Sequence, residues 1–457
     1  MEQRIIPQNK NKTFFQAVVA LVVPMALQNL INVGIQSADV IMLGKVDEIA
    51  LSSASLAGQI QFVLMLILFG LSSGAAVLTA QYWGKGDTRT IERILGITLR
   101  FSVSVAVVFV IAVYTVPASL MRILTPDEQI IAGGVEYLRF IAPSYLIISF
   151  TNIYLNIMRS TEKTIISTIV YFISLITNIV LNSIFIFGLL GVPAMGVAGA
   201  ALATTLARVI ELCIVLIYAI QNPIIRLRIR DFTGSHPQLM TDFRKFALPT
   251  TLNELLWSLG ISANAAIIGH LSAQAVAANS ISQVVRQLAT VVSFGVANAA
   301  ATLIGKAIGS NDYDSARYIA RRMVSLSVIS GCVGAVAILI LRPFVVEMMS
   351  MSELTSEYLR FILLCMSLYV IAQAINATAI VGVFRGGGDI RFGLYLDIGF
   401  MWGFSILLGM LGTFVFHWPP KTILAILMVD ELLKVPISLL RCRSSRWLNN
   451  VTRECID

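Results

Sequence analysis

Charge is scarce in this sequence. Asp, Glu, Lys and Arg make up only 13% of its 457 residues, roughly half the share of an average soluble protein. Histidine is nearly absent, and His236, His270 and His417 share no metal-ligand spacing. The five cysteines form no disulfide framework: Cys213, Cys332 and Cys365 sit in apolar blocks, with Cys442 and Cys455 near the C-terminus. No glycine-rich phosphate loop occurs, which argues against ATP-driven transport within the chain. Nor do His, Ser and acidic residues gather in the interfacial cluster that a membrane enzyme needs, so no enzymatic activity is expected.

What the chain has instead is apolar mass, 57% hydrophobic residues with a mean hydropathy of +0.83. A water-soluble fold of this length cannot hide so much apolar surface. That excludes a soluble enzyme, a nucleic-acid binder and a disordered scaffold. The hydrophobic residues fall in blocks with short polar breaks, and a membrane-spanning helix needs about 20 of them. We place twelve spans near 14–43, 52–83, 94–118, 131–158, 164–190, 194–221, 243–268, 274–306, 318–342, 357–384, 390–415 and 419–441. The apolar run after MEQRIIPQNKNK exceeds a signal-peptide core, so the first span is expected to be retained.

The net charge of +8 reports topology. With the N-terminus in the cytoplasm, the cytoplasmic segments carry 23 Lys and Arg and the outer loops four (Lys45, Arg122, Arg342, Lys421). A miscounted span would exchange the sides of everything after it, so the asymmetry supports twelve spans with both termini cytoplasmic. The chain divides into a six-span lobe over 1–221, a cytoplasmic linker over 222–242, and a second six-span lobe with a cytoplasmic tail over 243–457. The Arg-rich linker is either a strap on lipid headgroups or a plain connector.

The halves repeat. A shift of 225 aligns Pro24 with Pro249, Gly44 with Gly269, Gly70 with Gly295, Gly84 with Gly309 and Asp87 with Asp312. Residues 24–87 share 15 identities in 64 positions with their counterparts, where apolar composition alone gives about five. EYLRFI occurs at Glu136–Ile141 and again at Glu357–Ile362, and Arg159 matches Arg385. Six spans per repeat send both halves into the membrane in the same direction, a plan of secondary transporters.

Polar residues inside spans are costly and lean functional. Gln28, Asn32, Gln36 and Asp39 fall four, four and three apart on one face of span 1. Span 5 carries Asn178 and Asn182, and span 6 carries Thr204. Converged, they offer hard oxygen ligands for a small cation, or a carboxylate for a proton; the alternative is hydrogen-bond glue between helices. Glu254 lies near the middle of span 7, with Trp257 one turn on, able to stack a cationic aromatic substrate. Arg286 in span 8 needs a partner, and Glu254 is the expected one. Arg208 and Glu211 can pair along span 6. Asp397 in span 11 is expected near hydrated surface. Pro24, Pro143, Pro249 and Pro436 interrupt helices, as static kinks or as bending points.

Several strings resemble the multidrug and toxic compound extrusion (MATE) transporters over nearly the whole chain. They are LVVPMALQNLINVGIQSADVIMLG, ALPTTLNELLWSLG, NIVLNSIFIFGLLGVPAMGVAGAALATTLAR, VFRGGGD and DELLKVPISLLRCRSSRWLNNVT. The resemblance implies an antiporter in the cell membrane that exports organic, often cationic and amphipathic, compounds in exchange for H+ or Na+. It matches Asp39, Asn178 and Thr204 to an N-lobe coupling-ion site, with Asn182 standing where several members have Asp. It also matches Glu254 to a C-lobe cation site. An Asp expected in span 10 is missing, and Gln373 and Asn376 stand in that stretch. Asp39 and Glu254 are the residues that would hold Na+. Gln28, Asn32, Gln36, Trp257, Arg286, Gln373 and Asn376 are the substrate-cavity candidates. No cofactor beyond the coupling ion is implied, and a monomer in contact with membrane lipids and a small organic substrate, without nucleic acid, is expected. A flippase for a lipid-linked precursor is the alternative; it would call for more mid-span basic residues.

Overall fold

The computed structural model describes residues 10–234, 236–348 and 351–453. Arg4 and Cys455, and the side chains of Lys10, Lys12 and Gln36, lie outside the described residues. The described chain is helical, without strands. Its α-helices are α1 (Lys10–Gly44), α2 (Glu48–Lys85), α3 (Thr88–Thr115), α4 (Pro117–Leu124), α5 (Glu128–Ser160), α6 (Thr164–Phe187), α7 (Gly196–Gln221), α8 (Ile229–Thr233), α9 (Pro237–Gly269), α10 (Ala273–Gly309), α11 (Tyr313–Met348), α12 (Glu353–Ala377), α13 (Ile390–Phe400), α14 (Leu407–Phe414) and α15 (Pro420–Arg443). A π-helical turn, Thr378–Phe384, extends α12, and a second, Met401–Ile406, joins α13 to α14. Counting each continuous rod once and setting aside the short α4 and α8, twelve long helices correspond to the twelve spans.

Ten of the twelve are apolar enough by composition alone to cross a membrane. The other two, α9 and α15, are long enough at 33 and 24 residues but carry charge, including Glu254 in α9 and Asp430, Glu431 and Lys434 in α15. Hydropathy does not foretell α4, which Pro117 starts at its first turn. The linker is not wholly loop. It holds α8, whose Asp231 takes both arms of Arg89 at 2.6 and 2.7 Å. Glu92 accepts from the Arg226 backbone N–H at 2.8 Å, and Arg100 donates to the Gly234 carbonyl at 2.7 Å.

The chain packs as two units. Of the described residues, one unit comprises those in 27–79 and 87–251; the other comprises those up to Ala26, those in 80–86, and those from Leu252 onward. The divisions of α1 and α9 fall two residues after Pro24 and Pro249, which are repeat mates.

In the first unit an apolar core gathers Leu64, Leu68, Leu138, Ile141 and Tyr145. In the second, Leu359, Ile362, Leu363 and Met366 belong to the counterpart core. The repeated EYLRFI string thus supplies the same buried face to each, through Leu138 and Ile141 in one and Leu359 and Ile362 in the other.

The matched glycines mark close helix crossings. A side chain on Gly70 would strike Thr251, and one on Gly295 would press on Val22 and Ala26. Ala26 and Thr251 are themselves repeat mates, so one contact is made twice, once in each unit. Within the second unit Gly84 faces the Lys306 carbonyl and Gly309 faces the Gln81 carbonyl, a reciprocal crossing, since Gln81 and Lys306 are also mates. Asp87 and Asp312 accept from Thr90 and Ser315 backbone N–H groups at 3.0 Å, capping the helices that follow.

Candidate functional site

In the first unit, α1, α6 and α7 bring the span-1 carboxylate to the asparagine pair. Residues 178 and 182 lie one turn apart on α6, on one face. Asn182 Nδ2 donates to Asp39 Oδ1 at 2.6 Å and to Asn178 Oδ1 at 3.1 Å. Asn178 Nδ2 in turn donates to Thr204 Oγ1 at 3.2 Å. Asn178, Asn182 and Thr204 are buried and Asp39 is half-buried. Asn182 spends its amide hydrogens on Asp39 and Asn178, while its own Oδ1 is buried without a hydrogen-bond partner. The group is rich in acceptors, a negative carboxylate beside an unsatisfied amide oxygen. A small cation or a proton meets that need.

In the rest of the span-1 stripe, the described side chains are those of Gln28 and Asn32. Gln28 is 1% exposed, donates to Ser167 and Thr168 at 3.0 and 2.8 Å, and accepts from Arg159 at 3.2 Å. It ties helices together and does not line open space. Asn32 is exposed. Arg208, one turn beyond Thr204, pairs with Glu211 on its own helix at 2.5 Å, as the spacing suggested.

In the second unit the expected Glu254–Arg286 pair does not form. Glu254 Oε1 accepts from Arg385 Nη2 at 2.7 Å, and the two side chains are 12% and 5% exposed. Arg385 directly follows the π-helical turn. Arg286 donates through Nε to Gln283 on its own helix at 2.8 Å. Arg159 and Arg385 are repeat mates that reach back to neighbouring positions of corresponding helices, Gln28 in α1 and Glu254 in α9. Trp257 packs, half-buried, against the apolar core that includes Met401 and Ile406.

Gln373 and Asn376 are buried as well. Asn376 donates to Glu431 Oε2 at 2.7 Å and accepts from Ser438 at 3.0 Å. This contact opens onto a group absent from the sequence candidates. Lys434 Nζ contacts Asp397 and Glu431 at 2.8 Å each and Asp430 at 3.2 Å. Asp397, expected near hydrated surface, is 13% exposed and bound to a lysine that is 1% exposed. A signal was present: acids three and four residues before a lysine share one helix face, here inside an apolar span.

The family model MatE matches residues 24–184 and again 249–430. The two matches begin at Pro24 and Pro249, the offset of the internal repeat. This chain belongs to the MatE family. Among MatE relatives it is 23% identical over 418 residues to the probable multidrug resistance protein YoeA of Bacillus subtilis, covering 89% of this chain and 88% of that protein. It is 25% identical over 395 residues to the multidrug resistance protein MdtK of Yersinia enterocolitica, covering 85% of each. An outward-facing multidrug resistance MATE transporter of the MOP superfamily shares the fold, with a TM-score of 0.85 at 19% identity over 96% of both chains. The MatE chain is accordingly a multi-pass, twelve-helix membrane protein of a multidrug efflux transporter family.

Proposed function

We propose that this protein is a secondary antiporter that exports organic, often cationic and amphipathic, compounds in exchange for inward H+ or Na+, by alternating access of its two halves. The observation that carries the coupling is the Asp39–Asn182–Asn178–Thr204 chain, with its negative charge and its unpartnered Asn182 oxygen. An acceptor-rich group of this kind holds a cation or proton in one state and releases it in another. Asp39 is the principal coupling residue, with Asn178, Asn182 and Thr204 in support. Glu254, already balanced one-to-one by an arginine, is secondary. The basic bias of the alternate loops supports a cell-membrane orientation with both termini cytoplasmic.

The test is uptake of a cationic dye into proteoliposomes under an imposed pH or Na+ gradient. Wild type should respond to one gradient, Asp39→Asn should lose that response, and Glu254→Gln should retain part of it. If neither gradient drives uptake, or Asp39→Asn matches wild type, the coupling mechanism is wrong.

A further inference from the structure

The ion cluster at Lys434 is out of balance in two ways. An ammonium has three N–H donors, and Lys434 contacts three carboxylates: Asp397 on α13, and Asp430 and Glu431 on its own helix. One positive charge therefore faces three negative ones, with every member at most 13% exposed. Surplus charge held out of water is strongly disfavoured. The second imbalance is in hydrogen bonding. Asn253 Nδ2 reaches Asp397 Oδ2 at a long 3.5 Å, while Asn253 Oδ1 has no partner although the residue is 5% exposed. Gln373, one turn before Asn376 on α12, is likewise 5% exposed with an unpartnered Oε1.

Among the described residues no further cation contacts these carboxylates. On α9, Glu254 is taken by Arg385. On α10, Arg286 donates through Nε to Gln283. On α12, Tyr369 lies within electrostatic reach of Glu431, Asp430, Lys434 and Arg286. Farther along α15, Arg441 is engaged by Asp389 at 2.7 and 2.9 Å.

One added proton eases both defects. It cancels one of the two surplus negative charges, and it creates the O–H donor that the orphaned Asn253 oxygen lacks. Asp397 already gives Oδ1 to Lys434 and turns Oδ2 toward Asn253. Rotating the Asn253 carboxamide by half a turn presents Oδ1 to an O–H at that position, an exchange that an amide makes without moving its backbone. A metal ion fits less well. The lysine ammonium holds the centre, and among the described residues no three His, Cys, Asp or Glu side chains converge as metal ligands.

We propose that Asp397, Asp430 and Glu431, gathered around Lys434 and faced by Asn253, form a proton-binding centre separate from Asp39. The proton is shared within the group, as strongly interacting carboxyls share one. The centre lies where helices have slack. Asp397 sits four residues before the Met401–Ile406 π-turn, and Asn376 sits two before the Thr378–Phe384 π-turn. Protonation weakens the Asp397–Lys434 link between α13 and α15. The binding of the proton stands on this geometry alone; its use in transport rests on the antiport reading.

Infrared difference spectroscopy on the full chain in lipid nanodiscs tests it, with Asp39→Asn as the reference so that Asp39 is silent. Acidification should raise a carboxylic-acid carbonyl band that Asp397→Asn and Glu431→Gln each diminish by at least half, and that Glu254→Gln leaves in place. Asn253→Leu, which removes the acceptor without touching a charge, should shift the band's frequency. Should the charge variants fold poorly, the Asn253→Leu shift decides alone. Bands in the variants superimposable on the reference, or no band in the reference, overturn the proposal. A titrating band of the predicted pattern upholds the centre even if gradient-driven transport fails. A missing band alongside intact proton-driven transport sinks the centre and leaves the antiport reading standing.

Discussion

Asn182 decides what Asp39 can do. It donates to that carboxylate at 2.6 Å, and it links the carboxylate to Asn178 and, through it, to Thr204. A hydrogen bond to a charged group is worth about 1.5–3 kcal/mol. Replacing Asn182 with Ala should therefore move the coupling-ion concentration for half-maximal transport by roughly 10- to 100-fold, measured as dye uptake against external pH or Na+. An unchanged dependence would make the pair interhelical glue. At this scale the span-1 stripe divides, with Gln28 buried and Asn32 exposed, whereas the Asn178–Asn182 contact was legible because 3.6-residue periodicity puts both on one face of α6. The Glu254–Arg385 pair was not, because its partners lie 131 residues apart. The Lys434 group escaped notice for a related reason. Two acids and a lysine on one helix look nearly self-neutralised in sequence, and only packing adds Asp397 from α13.

Among the helices, the repeat identities turn out to be contact requirements. Gly84 and Gly309 face each other's helices reciprocally through the Lys306 and Gln81 carbonyls, where a β-carbon has no room. Gly309→Leu should cost at least about 1–3 kcal/mol through overpacking. Gly58, also inside α2, has open space where a β-carbon would stand, with nothing within 4 Å, and Gly58→Ala should gain roughly 0.5–1 kcal/mol of helix stability. Thermal unfolding of the detergent-solubilised variants separates the two cases; equal behaviour would remove the close crossing as a requirement. The aligned glycines were visible in the sequence, but the surfaces they face were not, since a one-dimensional repeat does not state which helices cross. The same limit hid the short helices α4 and α8 and both π-turns, each of which depends on local backbone geometry that apolar periodicity does not encode.

At the level of the whole molecule, scarcity of charge and a duplicated pattern specified the architecture. Twelve helices, arranged as two copies of six, followed from hydropathy, the distribution of Lys and Arg, and a shift of 225, and the MatE model matches each copy. The proposed antiport places the ion site within one half and makes substrate movement and ion movement obligatory partners. That claim is tested most directly by running the cycle backward. Proteoliposomes carrying a trapped pH indicator and a Na+ indicator, with no ion gradient imposed, receive a cationic dye on one side only. Obligatory exchange predicts that dye entry drives H+ or Na+ the opposite way, and that Asp39→Asn abolishes this ion movement. Dye entry without movement of either ion in wild type would contradict it.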